Sequence, residues 1–277
     1  MMTTAPATLE VDGVVLAYDL VTPHGTTAAP LVVLLPGMGD LRSAYRHLVP
    51  ILVAAGLRVA TLDPPGHGDS GISPVPVGQA QIARAAVALV ERLGGPAVVV
   101  HHSFTPDSAL LTTQLAPDAI VGAVAIAPWA NTPKPSRAMA AITRLVTRTP
   151  VLWSLFYRSL HKAPPADLAA HRRRIVTSLR RPHGTRALVT MGTGTTKDAI
   201  GARNAQTAPV AVVMGDADPD FRDPAAEARD YADAAGGGEV VMISGAGHYP
   251  HAERPVETAD AILALARRVG WQVGARA

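Results

Sequence analysis

Short apolar runs alternate along this chain with longer stretches whose apolar positions recur every three or four residues. The runs Leu31–Leu35, Arg58–Leu62 and 97–100 are each followed by residues that break regular structure. Runs so short and continuous fit strands buried on both faces. Between them, 45–55 carries Leu48, Ile51, Leu52 and Ala55 on one helical face, and Gln79–Leu93 carries Ile82, Ala85, Ala86, Leu89 and Val90. Further strands are expected at Ile120–Ile126, 210–214 and Glu239–Ile243, and a last helix at 255–269 with Val256, Ala259, Ile262, Leu263 and Ala266 in helical register. Strands alternating with amphipathic helices predict an α/β fold: a mostly parallel central sheet with helices on both faces.

The rhythm changes between the strands near 126 and 210. Residues 129–207 are rich in Ala, Arg and Leu, with Pro133, Pro135, Pro150, Pro164, Pro165 and Pro182 as breaks. Proline ends or restarts helices, so this stretch predicts several short helices inserted into a sheet domain made of 1–128 and 208–277. No internal repeat is found.

Composition narrows the function classes. The 277 residues are 48% apolar, which fits a folded domain, and only 4% aromatic, so the core is expected to rest on Ala, Val, Leu and Ile. There is no cysteine, which excludes disulfides, a thiolate nucleophile and a thiolate metal site. The N-terminal ten residues lack the basic-then-apolar pattern of a signal peptide. No window of about 18 apolar residues suggests a membrane span, so a cytoplasmic location is expected. The net charge of +3 conceals an asymmetry: residues 131–200 hold 13 Lys and Arg against 2 Asp, while the remainder holds 12 against 20 acids. Such a segment is either a solvated helical surface or the docking face for an anionic partner. Nucleic acid is a poor match, with no zinc-finger or RNA-stacking motif present. Gly37-x-Gly39 and Gly66-x-Gly68 complete no dinucleotide or Walker pattern, and no His/Asp spacing suggests a metal, so no cofactor is expected.

The chemistry centres on Ser103, where the buried run 98–100 meets His101-His102-Ser103-Phe104-Thr105-Pro106. Thr105 suits a helix cap, Pro106 its first position, and Asp107 the positive end of the helix dipole. A serine on such a turn has its hydroxyl held above the sheet, and the next backbone N–H, on Phe104, can donate to a developing oxyanion. Serine needs a base, and the base an orienting acid. His248 follows the last strand and Asp218 the strand before it, with Asp216 and Asp220 as rival acids. All three sites lie past strand carboxyl ends, where open parallel sheets bind ligands. His67, His102 and His251 fit structural roles.

Together these segments resemble the α/β-hydrolase superfamily over nearly the whole chain. Leu35-Pro36-Gly37-Met38-Gly39 resembles its oxyanion loop, which matches Met38 to the second backbone N–H donor. Asp63-Pro64-Pro65-Gly66-His67-Gly68-Asp69-Ser70 resembles the loop after its fourth strand, Gly215-x-x-Asp218 its acid turn and Gly247-His248 its histidine loop. Residues 129–207 fall where the family inserts a helical cap. One departure stands out: the usual Gly-x-Ser-x-Gly elbow has His101 and Thr105 in place of its glycines. Either His101 tucks away and the turn survives, or the turn relaxes.

The resemblance implies a Ser103–His248–Asp218 triad acting on an ester, lactone or thioester of a small molecule, with Trp129, Met139, Trp153, Phe156 and Tyr157 lining a pocket under the cap. The basic cap adds an anionic or carrier-bound substrate to that expectation. Two other classes share the scaffold: a non-hydrolytic or C–C bond-cleaving enzyme, such as a perhydrolase or cyclase, and a ligand-binding homologue without turnover.

Overall fold

The computed structural model describes residues 6–23, 28–130, 136–193 and 208–274. Among them, eight strands form one sheet: β1 (Ala7–Val11), β2 (Val14–Val21), β3 (Leu31–Leu35), β4 (Arg58–Leu62), β5 (Ala97–His102), β6 (Ile120–Ile126), β7 (Val210–Gly215) and β8 (Glu239–Ile243). The spatial order is β1-β2-β4-β3-β5-β6-β7-β8. β1 and β2 are antiparallel, and β2 meets β4 antiparallel. The pairs from β4 through β3, β5, β6 and β7 to β8 are all parallel.

Every residue of β3, β5 and β7 is buried, as continuous apolar strands require when helices cover both sheet faces. The covering helices are α1 (Val49–Ala54), α2 (Gln79–Leu93), α3 (Pro106–Leu115), α8 (Pro224–Ala234), the short α9 (Pro250–Glu253) and α10 (Pro255–Arg268). α1 packs with α10, and α2 with α3. Tyr231 of α8 ties onto α3 by donating its hydroxyl to Asp107 over 3.1 Å.

The strand pair β1–β2 is absent from the sequence reading. Its turn, Asp12-Gly13, takes positive φ at both residues, which is what a tight hairpin demands and what an Asp-Gly pair supplies. The expected helix at 45–55 is shorter: a 3-10 turn spans Arg42–Tyr45 and α1 starts at Val49 with Pro50 in its first turn.

Between β6 and β7 the chain forms α4 (Arg137–Arg148), α5 (Pro150–Ser159), α6 (Leu168–Leu179) and α7 (Arg186–Thr193). Ser136 caps α4 by accepting from the Met139 N–H, and Pro150 opens α5. Residues 131–135 and 194–207 of the expected insertion, with Pro133 and Pro135, lie outside the described residues. Trp153, Tyr157, Leu160, Leu168, Ile175, Leu179 and Leu188 form a second apolar cluster with Leu41, Tyr249 and Ala252. Leu41 and Tyr249 belong to loops at the carboxyl end of the sheet, so this cluster is the seam that seats α5 and α6 there. Fully burying a side chain of this size stabilises by about 1.5–3 kcal/mol.

Candidate active site

Ser103 sits immediately after β5 with φ +59°, a conformation that is uncommon for a residue with a side chain and is concentrated at functional turns. The turn is held on both sides. Ser103 N–H donates to Ile126 O over 2.8 Å, and Thr105 N–H to His102 O over 3.1 Å. His101 tucks into the protein interior, where its Nδ1 meets Ser108 Oγ at 2.8 Å and Thr105 O at 3.0 Å. Burial lowers the His101 imidazole to about 4, so it is neutral and tolerated beneath the turn. Thr105 differs from the sequence expectation. Its hydroxyl turns back to accept from His102 N–H at 3.1 Å instead of capping α3, so it braces the elbow.

His248 and Asp218 complete a hydrogen-bonded line with Ser103. Ser103 Oγ lies 2.8 Å from His248 Nε2, and His248 Nδ1 lies 2.7 Å from Asp218 Oδ2. A carboxylate can only accept, so Nδ1 carries the proton and Nε2 is free to take one from Ser103. His248 and Asp218 are buried while Ser103 is partly exposed, so of the three the serine is the one that solvent reaches. Burial pushes the His248 imidazole down, but the charge and hydrogen bond of Asp218 outweigh it and hold it above its ordinary value of 6.5. His102 donates from Nε2 to the His248 carbonyl over 2.8 Å. The residue before the serine thus fixes the backbone of the histidine loop.

Gly37 lies against the elbow, so that a Cβ there would fall 2.9 Å from both Ser103 Cβ and His102 Nδ1. The backbone N–H groups of Met38 and Phe104, one on each strand-end loop, find no protein acceptor among the described residues. Free donors beside a serine oxygen can receive a negative oxygen.

The expected pocket residues separate. Trp129 packs edge-on against Phe221, with ring centroids 5.0 Å apart, and Phe221 stands 6.2 Å from His248. Met139 is 53% exposed on α4. Phe156 is exposed and tilts against Trp153. Trp153 and Tyr157 are buried, with their polar atoms on Gly39 and Asp40. Trp129 thus stands one ring away from His248, through Phe221, and Tyr157 one ring away through Tyr249, whose ring centroid lies 4.5 Å from Tyr157 and 5.3 Å from His248.

One acid takes a different place from the sequence reading, and another escaped it. Asp220 was weighed only as a rival to Asp218. Its Oδ2 lies 3.6 Å from His248 Nε2, and its N–H donates to Asp218 Oδ1 over 2.9 Å. It therefore flanks the line, while Asp218 occupies the orienting position. Burial raises its carboxyl, reinforced by Asp218 and opposed by His248. Asp40, adjoining the Met38–Gly39 loop, was not singled out at all. Among the described residues no group of three or more His, Asp or Glu is arranged to hold a metal ion, and no helix is long and apolar enough to cross a membrane.

Comparison with known proteins places this geometry in context. A model of the alpha/beta hydrolase family matches residues 32–261. No curated protein matches the chain. Among solved structures, a thermophilic esterase from Thermogutta terrifontis is similar at 21% identity and TM-score 0.77, covering 97% of this chain and 99% of its own. A bromoperoxidase from Bacillus anthracis is similar at 18% and 0.80, covering 95% and 100%. The thioesterase domain of the curacin biosynthetic pathway is similar at 17% and 0.70, covering 93% and 98%. At these identities the structural likeness speaks for the fold.

Proposed function

Because this chain belongs to the alpha/beta hydrolase family, we propose that it is a serine hydrolase that cleaves an ester, lactone or thioester of a small organic substrate through an acyl-enzyme. The observation that carries this reading is Ser103 at positive φ, with its hydroxyl 2.8 Å from an imidazole that a buried carboxylate orients. His248 Nε2 takes the Ser103 proton as Oγ attacks the substrate carbonyl. The Met38 and Phe104 N–H groups hold the resulting oxyanion. His248 then returns the proton to the leaving group, and a water activated by the same imidazole releases the acyl group. Asp218 keeps the tautomer and balances the imidazolium. The insertion 129–207 serves as a cap on the core 1–128 and 208–277, and Trp129 with Phe221 forms one wall beside His248.

Intact-mass analysis after treatment with a fluorophosphonate tests the reading. One adduct per chain, mapped to the peptide bearing Ser103, is the expected result. A folded protein that takes no adduct, or takes it on another residue, contradicts it.

One feature favours an anionic substrate or carrier. Arg172, Arg173 and Arg180 line a groove of about 450 Å³ on α5 and α6, together with Ser154 and Thr177 and with no acidic residue. Ser154 fixes Arg172 by accepting its Nε–H at the backbone oxygen over 2.9 Å. Burial and the like charge of Arg158 lower the Arg172 guanidinium, a cost that a bound anion relieves. Changing Arg172, Arg173 and Arg180 to Glu should weaken turnover of a phosphate-bearing thioester several-fold at low salt, with little effect on a neutral ester, and added salt should erase the difference. Equal effects on both substrates would remove the anionic reading.

A further inference from the structure

Asp40 is 1% exposed, and a carboxylate so deeply buried needs partners to offset its lost hydration. Its partners come from the inserted helices. His171 of α6 places Nε2 2.7 Å from Asp40 Oδ1, and Tyr157 of α5 donates its hydroxyl to Oδ2 over 3.0 Å. The Leu41 N–H adds a third bond, at 2.7 Å to Oδ1. Burial pushes the Asp40 carboxyl up, but the His171 charge and these bonds bring it below its ordinary value.

The adjoining residue is held in the same way. Trp153 of α5 donates Nε1–H to Gly39 O over 3.1 Å, and Gly39 N–H donates to His67 Nε2 over 3.0 Å. Gly39 has φ +68°, and a Cβ there would lie 2.5 Å from the Trp153 ring. Both backbone polar groups of Gly39 and both carboxylate oxygens of Asp40 are thus engaged by side chains, mostly from α5 and α6. The residue just before this clamp is Met38, whose N–H has no protein acceptor among the described residues. Met38 itself packs against both apolar clusters.

We propose that Asp40, His171 and Tyr157 are positioning residues that make oxyanion stabilisation depend on the seating of α5 and α6. Asp40 N–H donates to Gly37 O over 3.3 Å, the oxygen of the peptide that carries the Met38 N–H, so with these helices docked the clamp on Asp40 steadies that peptide. With the clamp broken, the donor wanders and the oxyanion loses one of its two holders. The buried Asp40–His171 hydrogen bond is suited to this role because a directional polar pair specifies one docked register, where apolar packing alone tolerates small slides. This proposal rests on the hydrolase reading above, since it assigns the loop at Met38 to an oxyanion.

The test uses the full chain and variants Tyr157→Phe, His171→Ala and His171→Gln, the last of which retains a donor for Asp40. Fluorophosphonate titration counts competent sites in each, and labelling kinetics separate the maximal rate from probe affinity. A trifluoromethyl ketone, whose serine adduct carries an oxyanion, reports the holder directly. The expected result is a maximal labelling rate about 10–100-fold lower in Tyr157→Phe and His171→Ala, unchanged probe affinity and a parallel weakening of ketone binding. His171→Gln should recover most of the loss. Unchanged rate and ketone binding per competent site, however far the melting temperature falls, would overturn the proposal, as would a loss confined to probe affinity. A wild type that neither labels nor binds the ketone instead removes the hydrolase reading, and this proposal falls with it.

Discussion

Asp218→Asn is expected to lower kcat/KM about 10⁴-fold near neutral pH while leaving the fold intact, a loss of the size seen when the orienting acid of a serine triad is amidated. The cause is the direction of one hydrogen bond. In the wild type Asp218 Oδ2 accepts from His248 Nδ1 at 2.7 Å, which leaves Nε2 as the acceptor facing Ser103 Oγ at 2.8 Å. An asparagine amide can present N–H at that place, favouring the tautomer with its proton on Nε2, where the imidazole cannot take one from serine. The pH profile carries the same information. The base works only when neutral, so wild-type kcat/KM should rise with pH, with its midpoint above 6.5 because Asp218 outweighs the burial of His248. Without that charge, burial dominates and the imidazole midpoint moves down. Kinetics over pH 5 to 9 on both proteins check this. Activity within about ten-fold of wild type, with a large loss in Asp220→Asn instead, would transfer the acid's role to Asp220, which stands 3.6 Å from Nε2.

Gly37→Ala should cost about 10²–10³-fold in kcat, the size of losing one oxyanion donor. It should also destabilise the protein by about 1–3 kcal/mol through overpacking. The reason is space and not backbone conformation. The added Cβ would lie 2.9 Å from Ser103 Cβ, 2.9 Å from His102 Nδ1 and 3.1 Å from the His102 carbonyl oxygen. The elbow cannot yield easily, since Ser103 is fixed by Ile126 O and His102 by the His248 carbonyl. The loop carrying Met38 must therefore retreat, and its N–H with it. Measuring kcat on any turned-over ester beside a thermal melt separates the two effects. A variant that turns over and melts like wild type would show that the loop has slack, contrary to its close approach.

Much of the sheet was legible because buried strands must be apolar throughout. The runs at Leu31–Leu35, Arg58–Leu62, Ile120–Ile126 and Glu239–Ile243 coincide with β3, β4, β6 and β8, and Gln79–Leu93 is α2 to the residue. The hairpin β1–β2 was missed although Asp12-Gly13 signalled it. It lies at the sheet edge, where β1 is largely solvent-facing and shows no continuous apolar run. Ser103, His248 and Asp218, whose side chains lie in one hydrogen-bonded line, were legible as candidates because each follows a strand in a short loop of recognisable composition. The contacts of the candidate pocket residues were not legible. Aromatic content within 129–207 says nothing about which way a ring points, and Trp153 and Tyr157 point their polar atoms to the loop at Gly39 and Asp40.

The sequence by itself determined the six strands from β3 to β8, the order of the loops and which side chains could carry acyl-transfer chemistry, because periodicity and local turn chemistry are written over a few adjacent residues. The tertiary structure alone decided the rest. It chose Asp218 over Asp220 as the partner of His248 Nδ1, turned His101 inward where a glycine is usual, and joined Asp40 to His171 across 131 positions of chain. Each of these depends on distances between elements remote in sequence, and a buried polar group takes whichever partner the packing of those elements brings within reach.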